Sequence, residues 1–155
     1  MASISTYLPR RTLSTAGAFP GGFLMEPLIS IRLDNPRKHY YSSDTLHCQY
    51  QVDRIDPALI HAMEVSVLWY TEGKGEEDLG IHYFERHVSG QQTPDLRTFK
   101  EFSVALPMSP LSYEGIIIKI QWCTRVRIFL HNGNEHVHDQ PFLLGNIPVA
   151  QIIEP

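Results

Sequence analysis

Three of the eight histidines fall within one short stretch: His131, then His136 and His138 two positions apart. On an extended strand residues two apart share a face, so His136 and His138 can present their imidazoles together. With His131 at the preceding turn and Asp139 alongside, they match the nitrogen and oxygen donors that zinc takes in near-tetrahedral geometry. A metal-dependent enzyme built on the His131/His136/His138 hairpin is therefore one chemistry open to the chain. The signal is loose, because neither H-E-x-x-H nor paired C-x-x-C occurs. The expectation is solvent-facing strand histidines with no metal and no cofactor. His82 and His87 have opposite parity and can share a face only across a bulge. His47 and His61 are expected at the surface.

Nucleophilic chemistry has one candidate. Cys123 shares its strand face with Lys119 and Arg125, cations that would depress a thiol pKa; the competing reading is a half-exposed strand cysteine. Cys48 shares a face with Leu46 and Tyr50 and reads as buried and inert. No G-x-S-x-G elbow is present, and Gly73-x-Gly75 lies between strands rather than before a helix, so no phosphate loop forms. No catalytic residue is assigned. Lys119, Arg125 and Arg127 make a basic stripe that could receive an acidic peptide or a phosphate. Cross-strand pairing with Glu64, Glu85 or Glu101 is the preferred reading. Glu76, Glu77 and Asp78, in the loop after a predicted strand, form the most accessible partner-binding surface.

The elements that must position these groups are strands. From Ile116 to Leu130 the even positions are Ile116, Ile118, Ile120, Trp122, Thr124, Val126, Ile128 and Leu130, while Lys119, Gln121, Cys123, Arg125 and Arg127 alternate with them. This period of two predicts one buried and one wet face over a strand of roughly 50 Å. Shorter alternations predict strands over Ile29–Leu33, Thr45–Val52, Met63–Trp69, Leu79–Val88, Glu101–Leu106 and Glu135–Leu144. Leu79–Val88, with mixed faces, reads as a sheet edge, and the Pro141-containing strand as an edge or bulged at the proline. Asn132-Gly133 predicts a type I′ hairpin turn. Asp56-Pro57 opens the one helical turn. Seven or more strands without intervening helices define an all-β, antiparallel, immunoglobulin-like sandwich in one domain.

Composition narrows the function further. At 155 residues the chain has room for one real core. The net charge of −4 argues against bulk binding to nucleic acid or anionic lipid. No apolar run is long enough for a transmembrane helix. Cys48 and Cys123 stand 75 positions apart on faces of opposite character, which argues against a mutual disulfide and fits a reducing, cytoplasmic setting. Residues 1–25 carry Arg10 and Arg11 but no acid. They read as a disordered tail, a targeting leader, or a start assigned upstream of Met25. The folded domain, residues 26–155, is expected to begin near Pro27.

The Pro-rich turn Leu106-Pro107-Met108-Ser109-Pro110-Leu111-Ser112, the step Tyr113-Glu114-Gly115 and the strand Ile118-x-Ile120-x-Trp122-x-x-Arg125-Val126-Arg127 together resemble the arrestin-like superfamily. The strand Asp44–Val52 and the apolar Phe142 are similar to that family's early and closing strands. The resemblance implies an arrestin-type sandwich and a non-enzymatic role in protein binding or scaffolding, with partners met at a sheet edge or at the end loops. Homo-oligomers are open to such a sandwich through its free edges. The alternative is a ligand- or carbohydrate-binding sandwich, which needs an exposed row of aromatic rings. Trp69 and Trp122 both sit in apolar registers, so neither is expected to be available.

Overall fold

The computed structural model describes residues 26–90 and 95–154; the expectations for residues 1–25 lie outside the described residues. In chain order the strands are β1 (Leu28–Leu33), β2 (His39–Tyr40), β3 (Thr45–Asp53), β4 (Ile60–Gly73), β5 (Leu79–Val88), β6 (Lys100–Ala105), β7 (Tyr113–Glu114), β8 (Ile118–Leu130) and β9 (Glu135–Leu144). A 3-10 turn at Pro57–Leu59 precedes β4, capped by the Asp56 carboxylate on the Ala58 N–H, with Pro57 in its first turn as the sequence suggested. The chain is an all-β sandwich. One sheet has three strands in the order β1-β3-β6, and the other runs β2-β9-β8-β4-β5 with β7 also on β8. The described pairs are antiparallel except β2 with β9.

The inner faces follow the alternation. β3 contributes Leu46, Cys48, Tyr50 and Val52; β4 contributes Met63, Val65 and Val67; β8 contributes Trp122, Val126 and Ile128. Each is 2% exposed or less, so the two layers seal against one another. Thr124 occupies the same inner row, is fully buried, and its hydroxyl has no hydrogen-bond partner among the described residues. An orphaned buried hydroxyl costs on the order of 1–3 kcal/mol. Thr124→Val, which keeps the β-branched shape, should therefore raise the urea midpoint, by an amount equivalent to about 1 kcal/mol. A lower midpoint would show the hydroxyl to be bonded.

Four expectations need correcting. The long strand starts at Ile118, because Gly115 bonds back to the Ile118 carbonyl and Ile116 and Ile117 stand in an exposed turn. The turn after Leu130 has positive φ at Gly133 alone, so it is not type I′. Gly133 donates to Leu130 and Leu130 to Asn134, the pattern of a type I turn closed by a left-handed glycine. β9 is only partly an edge: it pairs β8 along its length, and β2 covers Leu143 and Leu144. Pro141 sits there without a bulge, because Leu143 donates outward to Lys38 and residue 141 shares that outward phase, where no donor is needed.

The fourth correction concerns the odd face of β8, which is not wet. Cys123 is 1%, Arg125 7% and Arg127 5% exposed. β8 is flanked by β4 and β9, and their long side chains close over it. Arg125 donates from Nε and an NH2 group to the two oxygens of Asp139 at 2.7 and 3.0 Å. Arg127 donates to Glu135 at 2.6 Å and lies over the Phe129 ring, 4.8 Å from its centroid. Arg86 approaches the same ring at 5.5 Å and pairs Glu64 at 2.6 Å. Long stems and paired heads replace the expected solvent stripe.

Candidate functional site

The histidine hairpin does not converge. His136 and His138 share a side, opposite Ile128 and Val126, which is the core-facing side of β9. His136 is nevertheless half-buried and His138 exposed. Asp139 has the opposite parity and is held by Arg125. His131 packs against His61, ring centroids 5.2 Å apart. Among the described residues no group of three or more His, Cys, Asp or Glu side chains is placed to hold a metal.

Cys123 is a buried thiol, contrary to the half-exposed reading. Burial, and secondarily Asp139, push its pKa up, and Arg125 is too weak a counterweight. Burial also pushes Cys48 up, to about 12. Both thiols are free. A thiol reagent at neutral pH should therefore label neither in the native protein and both after denaturation; rapid native labelling would contradict the buried geometry.

β5 is an edge of the larger sheet, as expected. Ser89 donates to the His61 carbonyl, which sets the ladder phase and turns the backbone N–H groups of Phe84 and Arg86 outward. The strand is blunted, however. The register passes from Val67↔Tyr83 to Leu68↔Ile81, leaving His82 as a bulged extra residue. The bulge resolves the parity conflict noted above: His82 reaches the Ala105 carbonyl at 2.7 Å across the sandwich, and His87 faces inward too. Glu85 and His87 meet at 3.2 Å beside the Tyr50 hydroxyl, and Tyr83 also bonds Glu85. Burial, then the charge on Glu85, push the Tyr50 phenol up. A bulge and inward-pointing charged residues are devices that deter strand addition.

The opposite end of the architecture is different. Where β8 begins, β4, β7 and the end of β9 come together, and a row of backbone bonds lashes their loops side by side. Lys74 donates to Ile117 at 3.1 Å, Gly115 to Ile118 at 3.0 Å, Ala150 to Glu114 at 3.0 Å and Leu143 to Lys38 at 2.9 Å. Gly73 makes the row possible: its φ of +134° suits glycine, and a Cβ there would collide with the Ile117 carbonyl. The row presents aliphatic side chains to solvent. Ile116 is 61%, Ile117 66%, Ile147 43% and Val149 58% exposed.

Charges flank the aliphatic row on two sides. On the β4–β5 side the loop carries Glu76 and Glu77, exposed and without a hydrogen bond or ion pair among the described residues. Asp78, grouped with them from sequence, closes the loop instead, accepting from the Leu79 N–H while its own N–H bonds Thr71. On the β9 side stand Arg37 and Lys38, both exposed. Lys119, between them, pairs Glu114 at 3.3 Å. Of the basic stripe proposed from sequence, only Lys119 reaches this surface. A cleft of about 390 Å³ runs between β7 and β9, with Trp122 and Phe142 beneath it, Ile147 and Val149 along it, and Arg37 and Lys38 at its mouth.

A tight local network displays the two cations. Tyr40 donates to Asp34 at 2.7 Å, the His47 N–H bonds the same carboxylate at 3.1 Å, and Asn35 ties to His39 and to the Arg37 and Lys38 N–H groups. Burial raises the Asp34 pKa, but the bonds from Tyr40 and His47 and the His47 charge outweigh it, leaving Asp34 below the usual carboxylate range. A folded pKa below the unfolded value of about 3.9 means stability that is present above that pH and lost as pH falls through the folded value. Asp34→Asn keeps the acceptor and removes the charge. Its stability deficit against wild type should shrink steadily on acidification from about pH 5 to 2. A deficit independent of pH would show that the charge is not what matters.

These features define a single-domain, all-β sandwich fold. The chain is similar to the crystal structure of Spo0M, a sporulation control protein from Bacillus subtilis, at TM-score 0.55 and 12% sequence identity, over 78% of this chain and 50% of that one. The chain thus spans about half the length of that protein, and the likeness is one of fold. No family model and no curated protein matches the sequence. No helix among the described residues is long and apolar enough to cross a membrane.

Proposed function

We propose that this chain is a non-enzymatic protein-interaction module of a reducing, cytoplasmic setting, and that it docks a protein partner on the loop end of its larger sheet. The observation that carries this reading is the row Ile116, Ile117, Ile147 and Val149, exposed side by side and flanked by charges. A contiguous aliphatic patch with a polar rim marks an interaction surface, because leaving it in water forgoes burial. Rigid backbone bonds hold the row in place, so docking would need little ordering of the loops. Strand addition at β5 is the less favoured route, for the bulge and inward charges given above.

The groups that could have done chemistry support this reading by their positions. Both thiols are buried, and Arg125 and Arg127 hold the sheet together. Co-purification from the native host under crosslinking tests the proposal: Ile116→Ser/Ile117→Ser should lose a partner that wild type retains, with no change in melting temperature. A partner retained by the variant would overturn it.

One observation favours a second reading, a ligand-binding sandwich, namely the cleft with apolar walls and Arg37 and Lys38 at its mouth. Its size is within the range of small-molecule sites, and its chemistry fits an amphipathic anion. Trp122 is 1% exposed, so no stacking platform for a sugar is offered there. Mass spectrometry of gently purified protein should find a bound small molecule if this reading holds.

A further inference from the structure

We infer that the partner at the loop end is a second copy of this chain, related by a twofold axis; this rests on the docking reading just given and names its occupant. Three observations lead there.

The first is the aliphatic row itself; just past Ala150, which bonds Glu114, the chain carries Ile152 and Ile153, 73% and 90% exposed. Nothing polar interrupts the row Ile116, Ile117 and Ile118 at its centre, and Ile118 is still 36% exposed. The second is the placement of charge. Sheet order puts β4 and β5 on one side of β8, with β9 and β2 on the other. Glu76 and Glu77, in the loop joining β4 to β5, therefore lie on the opposite side of the aliphatic row from Arg37 and Lys38, which precede β2. In a twofold interface the same patch serves both partners, so residue i of one copy meets residue j of the other, and the reverse. A rim of one sign all round would repel itself under that operation. A rim acidic on one side and basic on the other attracts itself twice. The third is that Arg37, Lys38, Glu76 and Glu77 have side chains with no hydrogen bond or ion pair among the described residues. They are available to a partner, whereas Arg86, Arg125 and Arg127 are each paired to an acid on a neighbouring strand.

In the dimer the isoleucines of the two turns pack on each other across the axis. Glu76 and Glu77 of one copy face Arg37 and Lys38 of the other on both flanks. Steering by such rims makes association salt-dependent, while the aliphatic centre supplies the burial.

Sedimentation velocity on the full chain over a concentration series tests this directly. Wild type should dimerise, more weakly in high salt. Ile116→Ser/Ile117→Ser should be monomeric with an unchanged melting curve. Arg37→Glu/Lys38→Glu alone, and Glu76→Lys/Glu77→Lys alone, should each weaken the dimer roughly tenfold or more, because each places like charges together on both flanks. Mixing those two variants should restore association, since an all-acidic rim then meets an all-basic one on both sides. A chain that is monomeric throughout the series overturns the inference, as does a dimer indifferent to the isoleucine pair. Charge variants that do not rescue each other on mixing also overturn it. Failure here is distinct from failure of the docking reading: a monomer whose Ile116/Ile117 variant still loses a crosslinked partner of different mass keeps that reading and discards the second copy.

Discussion

Asp139→Ala should destabilise the fold by roughly 2–4 kcal/mol, below the range for a fully buried pair because Asp139 itself is about a third exposed. Arg125 lies 7% exposed in the middle of the larger sheet, beside Cys123 and across from Ser66. Burial alone would pull its guanidinium down in pKa; the two bonds to Asp139 and the charge behind them more than reverse this. Removing the carboxylate leaves a cation that can neither deprotonate nor reach water. The double change Arg125→Met/Asp139→Leu removes charge from both sides and should recover most of the loss. Chemical denaturation of the wild type, Arg125→Met, Asp139→Leu and the double variant closes a cycle that isolates the pair. An Asp139→Ala variant within about 0.5 kcal/mol of wild type would show that solvent or another acid takes the place of Asp139.

That pair also shows how far the sequence could be read. The alternation along β8 assigns the inner face correctly, since Trp122, Val126 and Ile128 are all buried. It assigns the outer face wrongly, because alternation records only polar against apolar. A polar side chain in the centre of a broad sheet can be covered by its neighbours when its charge is matched. The predicted turn hid the match: a two-residue turn at Asn132-Gly133 would set Arg125 opposite Gln140. The turn actually formed shifts the register by one and sets Arg125 opposite Asp139 and Phe129 opposite Glu135, so the counter-ions stand on the next strand and not on Glu64, Glu85 or Glu101.

Other features left no pattern to read. Ile116, Ile117 and Ile118 are three identical residues in a row, and such a run has no parity, so nothing marks where turn becomes strand. The bulge at His82 carries no glycine or proline. The loop end itself brings together residues 37–38, 73–77, 115–118 and 147–150, which only tertiary pairing can juxtapose. Its candidate residues split accordingly: Glu76, Glu77 and Lys119 stand out in the sequence, whereas Arg37, Lys38 and the exposed isoleucines do not.

Trp122→Ala should have the largest effect of any single change, on the order of 3–5 kcal/mol. The side chain is 1% exposed and lies against Phe142, with ring centroids 5.9 Å apart, while the His82 ring stands nearly perpendicular to it at a centroid distance of 6.2 Å. It stands in register with Trp69 of β4 on one side and Phe142 of β9 on the other, so its truncation opens a cavity where three strands meet. Close packing prevents the surroundings from filling that space. The indole also donates from Nε1 to the Pro110 carbonyl at 2.8 Å, tying the Pro-rich turn to the strand that follows it. Trp122→Phe separates the two contributions: it keeps most of the ring volume and loses the donor, so about 1 kcal/mol should be lost to the unpaired carbonyl, together with some packing. Denaturant midpoints for both variants give the comparison. If Trp122→Phe proves as damaging as Trp122→Ala, the bond to Pro110 outweighs the burial. That result would make the Pro-rich turn, more than the meeting of the two layers, what fixes the start of β8 and with it the aliphatic end.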